Sequence, residues 1–283
     1  MSVRLTTLTD NAVRTGKLGL LAEHGLSILV EAHGKRVLLD AGQTDTAVRN
    51  ARTLGLDLGA VDAIVLSHGH QDHTGGLRAV LQEVSRQGRE VPVYAHPDLW
   101  TARYSLREGE RPRFTGLPYR EEGLAALGAR FHYSAIPREV FPGIWTTGEV
   151  PRRNDFEKLD PALKVRLSDG WGQDQILDDQ ALVVTSARGL IVVLGCAHAG
   201  IVNTLAHARQ FTGERCLYAV VGGTHLGLGL KEQLAPSVAA LREMGIERLG
   251  VSHCTGPEAA AELARAFGPA FFHNNAGSVV DLG

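Results

Sequence analysis

Three histidines and one aspartate fall within six residues, as His68, His70, Asp72 and His73, directly after the apolar run Val61 to Leu66. That run is short, continuous and rich in β-branched residues, so it predicts a buried strand, with the cluster on the loop at its C-terminal end. Strand ends are where α/β architectures commonly expose their chemistry-bearing groups. None of the four is an apolar core residue, and protonated imidazoles repel one another, so gathering them without a cation is costly. His68 and His70 are two apart and can point the same way in an extended loop, and Asp72 and His73 follow within one turn. Imidazoles and a carboxylate together make a borderline-soft site suited to zinc, and also to iron or manganese.

A catalytic metal needs at least three protein ligands and one open position. His198 follows the strand expected over Leu190 to Leu194, and Ala199-Gly200 then opens a helix. His253 follows the strand expected over Leu249 to Ser252 and precedes Cys254-Thr255-Gly256. A lone histidine is more often satisfied by ordinary hydrogen bonds. Here the placement of His68 is repeated twice, at the outgoing ends of two further strands, and this marks His198 and His253 as ligands.

The rest of the chain reads as strands alternating with helices. Leu26 to Glu31 and Arg36 to Leu39 predict a hairpin that ends at Asp40-Ala41-Gly42. Helical spacing appears over Thr46 to Leu54, Leu77 to Gln87, Ile201 to Thr212 and Leu234 to Met244. Strands are expected over Val91 to Ala95, Ala181 to Thr185 and Cys216 to Val221. Two stretches break the pattern. Residues 98 to about 125 set Arg103, Arg107, Arg111, Arg113 and Arg120 among aromatic residues, and Thr146 to Asp179 has little periodicity. Both predict surface inserts or lids on one α/β domain, 1–283, made of two similar halves.

Composition narrows the function. A net charge of -2 gives no support to nucleic-acid binding. No run approaches the roughly 18 apolar residues of a membrane span, and the N-terminus lacks a secretory core, so a cytoplasmic protein is expected. Cys196, Cys216 and Cys254 are too few and scattered for a disulfide framework. Cys196 and Cys254 stand beside histidines; they read as small buried core thiols or, alternatively, as thiols near a metal.

The segment Ser67-His68-Gly69-His70-Gln71-Asp72-His73-Thr74-Gly75-Gly76 resembles the His-x-His-x-Asp-His signature of the metallo-β-lactamase superfamily. Asp40 in Leu39-Asp40-Ala41-Gly42 resembles its preceding aspartate motif, and His198 and His253 match its later ligands in order and spacing. The resemblance implies an αββα four-layer sandwich with one or two metal ions, zinc first, in a cleft along the sheet edges. It further implies that His68, His70 and His198 hold one metal and that Asp72, His73 and His253 hold a second. One departure stands out. Where the superfamily usually supplies a bridging aspartate, this chain has Gly222-Gly223-Thr224-His225. His225 then becomes a candidate ligand or proton donor, and the occupancy of the second position is open. Stretches such as Gly195-Cys196-Ala197-His198-Ala199-Gly200 and Ser252-His253-Cys254-Thr255-Gly256 are similar to a subgroup containing dihydropterin–ribofuranosylaminobenzene 5′-phosphate synthases and related metal-dependent hydrolases.

Asp40 reads as the carboxylate that takes the remaining N–H of a metal-bound imidazole, with a strand-end turn as the alternative. His24, His96, Glu149 and Arg152 are candidate substrate contacts, as is Glu157, with capping or surface roles the bland reading. Arg103, Arg111 and Arg113 suit recognition of an anionic small molecule. Trp100, Tyr104, Phe114 or Trp145 would supply a stacking wall. The expected activity is hydrolysis by a metal-activated water, with Asp72 orienting it and taking its proton, and His225 steadying the oxyanion or protonating the leaving group. Pterin-related synthase chemistry on a phosphorylated substrate is the second expectation, and a non-catalytic metal-containing binding module the third.

Overall fold

The structure is a computed structural model and describes residues 2–283. Two seven-stranded sheets face each other. The first runs in the order Val279–Leu282, Val3–Thr9, Ser27–Ala32, Lys35–Leu39, Ala63–Val65, Val91–Ala95 and Ala129–Tyr133. The second runs Phe271–His273, Arg248–Ser252, Leu217–Gly223, Gly189–Leu194, Ala181–Ser186, Ile144–Thr146 and Arg138–Phe141.

Side chains alternate across a strand, and here both faces are apolar because both are covered. In the first sheet Ile28, Val30, Val37, Leu39 and Val65 point into the space between the sheets. Their neighbours Leu29, Leu38, Ile64 and Leu66 pack against the outer helices Thr46–Thr53 and Leu77–Arg86. The second sheet repeats the scheme. Leu182, Val184, Ile191, Val193 and Val221 face inward, and Val183, Leu190, Val192, Val220 and Leu249 meet the helices Ile201–Thr212, Leu234–Glu243 and Gly256–Phe267. Each fully buried aliphatic side chain contributes roughly 1.5–3 kcal/mol relative to exposure. The result is an αββα sandwich, as expected.

Each sheet has a parallel half. Lys35–Leu39, Ala63–Val65, Val91–Ala95 and Ala129–Tyr133 are parallel to one another, as are Gly189–Leu194, Leu217–Gly223, Arg248–Ser252 and Phe271–His273. Their C-terminal ends emerge at one edge of the sandwich, where Gln180 joins the sheets. Its backbone N–H donates to Ser67 O (3.0 Å) and its Nε2 to Leu66 O (2.9 Å). The loops bearing Asp40, His68, His198, His225 and His253 therefore meet there.

The two stretches expected as inserts pair with each other. Gly170–Gln173, Leu163–Leu167, Arg103–Ser105 and Arg113–Phe114 form a four-stranded antiparallel sheet beside the edge. Arg103, expected to face an anion, is instead fully buried beneath this small sheet. Its Nη2 lies 2.7 Å from Asp98 Oδ2 and 2.8 Å from Asp178 Oδ1. Among the described residues no helix is long and apolar enough to cross a membrane.

Candidate metal centre

His68 leaves the strand Ala63–Val65, and Asp72 and His73 lie on the single helical turn Gln71–Thr74. The tautomer of His68 follows from its neighbours. Its Nδ1 lies 2.8 Å from Ser67 Oγ, which in turn donates to Asp40 Oδ2 at 2.7 Å. With one hydroxyl proton committed to a carboxylate, Ser67 accepts from His68 Nδ1–H, and the Nε2 lone pair is left facing the cleft. That Nε2 is 3.2 Å from His198 Nε2, which is also 3.2 Å from His70 Nδ1. Burial, aided by the neighbouring imidazoles, pushes His68 and His198 well below the ordinary histidine pKa, and burial takes His70 down to about 3. Three neutral imidazoles thus converge as donors of lone pairs.

Asp40 does more than orient one ring. Its carboxylate accepts from Ser67 N–H and Ser67 Oγ–H, and its Oδ2 lies 2.7 Å from His73 Nδ1. Burial alone would lower His73, but the Asp40 and Asp72 carboxylates hold it up at about 9. The His73 Nε2 faces Cys196 Sγ at 3.0 Å and Asp72 Oδ2 at 4.0 Å.

Asp72 Oδ2 lies 3.2 Å from His253 Nε2 and 3.1 Å from His24 Nε2. Burial would raise its pKa, yet the surrounding histidines keep it well below the carboxylate range. His253 is aimed from behind: its backbone N–H donates to Asp10 Oδ1 (2.7 Å), and its Nδ1–H donates to Asn11 Oδ1 (2.8 Å). The ligand loops are braced by a pair of adjacent buried carboxylates. Asp178 accepts Gly69 N–H at 2.7 Å, and Asp179 accepts Ala199 N–H at 2.8 Å. Sequence reasoning gives none of Asp10, Asn11, Asp178 and Asp179 such a role.

Backbone strain gathers at the same place. Asp40, Ala197, His225 and His253 have φ between 53° and 59°, a left-handed conformation that costs a non-glycine residue about 1–2 kcal/mol. The centre floors an open cleft lined by His24, His70, Asp72, His198, His225 and His253. His70 Nε2 and both ring nitrogens of His225 are buried without a hydrogen-bond partner among the described residues. Neutral imidazoles, orphaned nitrogens and an ionised carboxylate around one opening fit a divalent cation.

A family model described as the metallo-beta-lactamase superfamily matches residues 21–160. The 7,8-dihydropterin-6-methyl-4-(beta-D-ribofuranosyl)-aminobenzene-5'-phosphate synthase of Methanocaldococcus jannaschii is 31% identical over 267 residues, covering 92% of this chain and 90% of that protein. This chain belongs to the metallo-beta-lactamase superfamily. Among solved members, Tm1679, described as a metal-dependent hydrolase of that superfamily, aligns with a TM-score of 0.82 at 27% identity over 99% of both chains. Zn(2+)-bound PqqB from Methylobacterium extorquens shares the fold alone, with a TM-score of 0.55 at 14% identity over 99% of this chain and 100% of that one.

Of the two residue groups that the resemblance implies, the structure brings one together and splits the other. The facing atoms of His68, His70 and His198 all lie within 4.8 Å of one another. On the second side Asp72 and His253 are joined within 4.8 Å by His24, expected only near substrate, while His73 groups with His68 and Cys196. Gly223 carries no bridging carboxylate, and His225 packs its ring over His198 with centroids 4.2 Å apart.

The remaining candidates go elsewhere. His96, Glu149 and Arg152 do not line the cleft. The His96 Nδ1 accepts Asp98 N–H and so caps the turn Pro97–Trp100, its Nε2 lies 3.9 Å from Glu149, and Arg152 donates to Gln175 O. Glu157 is also structural: it accepts Val202 and Asn203 N–H at the start of the helix Ile201–Thr212. From the small sheet and its loop, Arg107, Arg113 and Phe114 reach the cleft, whereas Arg111, Trp100, Tyr104 and Trp145 do not.

Proposed function

We propose that this protein is a metal-dependent hydrolase of small substrates bearing a carbonyl or phosphoryl group. The observation that carries this reading is the convergence of three neutral imidazoles, with His70, His198 and the ionised Asp72 lining an open cleft and His68 buried directly behind them. His68, His70 and His198 would hold one ion, and Asp72, His253 and His24 would serve a second, with His73 between them. Zinc fits the imidazole-rich donor set, with manganese and iron as alternatives. When bound, such an ion supplies Lewis acidity toward a substrate oxygen and lowers the pKa of water from about 15.7 toward 7.

The chain's own groups supply the rest. Asp72 is ionised and would orient an attacking water and take its proton. Both ring nitrogens of His225 lack a hydrogen-bond partner among the described residues, so the N–H of one would steady a developing oxyanion while the other is left to a metal. Arg107 and Arg113 at the mouth favour anionic substrates. Chelation should abolish turnover on a panel of lactone, phosphodiester and thioester substrates, and zinc, manganese or iron should restore it. Full activity in verified metal-free protein would rule the reading out.

A second reading, pterin-related synthase chemistry on a phosphorylated substrate, is favoured by the relative named as a synthase and by Phe114 beside Arg107 and Arg113. Calorimetry with a reduced pterin at millimolar concentration tests it. Absence of binding removes it.

A further inference from the structure

Gly223 stands where the superfamily usually places a bridging carboxylate, and its surroundings show why no side chain belongs there. A Cβ on Gly223 would lie 2.4 Å from Gly195 O and 2.7 Å from Cys254 Sγ. Sulfur already fills the space that a longer residue would enter. Cys196 and Cys254 both line the cleft, and their sulfurs lie with a His225 ring nitrogen within 4.8 Å of one another. The Cys196 Sγ also lies within 4.8 Å of donor nitrogens of His68 and His73, so one sulfur is shared by two ligand groups.

These are not the surroundings of an inert core thiol. His73 Nε2 meets Cys196 Sγ at 3.0 Å, and the backbone N–H of His225 donates to Cys254 Sγ at 3.2 Å. Neither ring nitrogen of His225 has a hydrogen-bond partner among the described residues. The third cysteine, Cys216, is exposed and belongs to no such group. A thiolate carries the same negative charge as the missing carboxylate and is a softer donor.

We propose that Cys196, Cys254 and His225 form a sulfur-bearing metal subsite that takes over the position of the absent bridging carboxylate. Its donor set, two thiolates and an imidazole, suits zinc better than manganese or magnesium. The inference rests on the centre binding a metal and is independent of whether the protein hydrolyses anything.

X-ray absorption at the zinc edge decides it on the wild-type protein, loaded with zinc under reducing conditions. A sulfur scatterer at about 2.3 Å is expected beside nitrogen and oxygen at about 2.0–2.1 Å. Loading with cobalt(II) should give a thiolate-to-metal charge-transfer band in the near ultraviolet. The double substitution Cys196→Ser, Cys254→Ser should abolish both signals, and Cys216→Ser should leave both intact. Zinc retained with nitrogen and oxygen ligands alone overturns the subsite while leaving the histidine centre standing. Failure to retain any ion overturns both, and a signal that disappears with Cys216→Ser overturns the assignment of these sulfurs.

Discussion

Asp40 shows how much one buried carboxylate decides here. Its backbone is held at a φ of 59°, and its oxygens gather Ser67 and His73 while Ser67 fixes the ring of His68. The negative charge has a second effect. It keeps a proton on His73, whose pKa stands at about 9, and a metal can be accepted at that ring only once the proton leaves. The folded-state pKa is raised, so between pH 7 and 8 the proton is still bound in the metal-free protein. The His73 proton should therefore contribute about a tenfold rise in zinc affinity per pH unit across that interval, added to the protons that ligating thiols release and beyond any dependence of the buffer itself. Asp40→Asn should flatten this slope, because it removes the charge that retains the proton, and should weaken binding by about 10–100-fold through loss of ring orientation. Competition against a chromophoric chelator at several pH values measures both effects. A slope unchanged by Asp40→Asn would show that another group releases the proton. At this scale the sequence was most informative for the metal-facing histidines, because imidazoles crowded this densely behind a buried strand rarely serve anything but a cation. The groups behind them were hidden. Asp10, Asp178 and Asp179 serve ligand loops that are distant in the chain, and no local pattern distinguishes such a carboxylate from a turn residue.

Elements with strong local signals were legible. The continuous runs around Leu38, Ile64 and Val192 are buried on both faces, and the helix Ile201–Thr212 has the bounds its periodicity predicts. The helix Gly256–Phe267 and the strands Val3–Thr9 and Val279–Leu282 were not. The last two pair with each other across nearly the whole chain, and such a contact leaves no periodic trace. The small sheet was opaque for the same reason: Leu163–Leu167 gains its meaning only beside Arg103–Ser105. Arg103 misled for a physical reason. In isolation a guanidinium reads as surface or anion-binding, and only the folded chain brings Asp98, Asp174 and Asp178 around it. Removing one partner of a buried ion network leaves charges unpaired, so Arg103→Met should cost about 3–5 kcal/mol. Because Asp178 also holds Gly69 between two ligands, zinc affinity should fall together with the melting temperature. Arg103→Lys should rescue neither fully, since one ammonium cannot reproduce the forked contacts. A variant that melts like wild type would show that the small sheet is held by other contacts.

Across the whole molecule, the two halves meet at the centre and contribute equally many residues to it, the second half alone supplying sulfur. The first half supplies His24, His68, His70, Asp72 and His73, and the second supplies Cys196, His198, His225, His253 and Cys254. Any ion held between them links the outgoing ends of both sheets. The sheets themselves have their own cohesion, through the apolar layer between them and the backbone bridge at Gln180. The loops, by contrast, carry left-handed residues and clustered imidazoles, which the ion would stabilise by binding the folded form alone. At a free ion concentration about 1,000 times the Kd that stabilisation is about 4.1 kcal/mol. Removing the ion should then loosen the molecule unevenly. Hydrogen exchange should quicken in the loops around residues 67–76, 195–200, 223–227 and 252–256, while the strands Lys35–Leu39 and Gly189–Leu194 keep their protection. Equal loss of protection in loops and sheets would mean that the ion holds the fold rather than a site prepared by it. It would then favour a structural metal over a catalytic one.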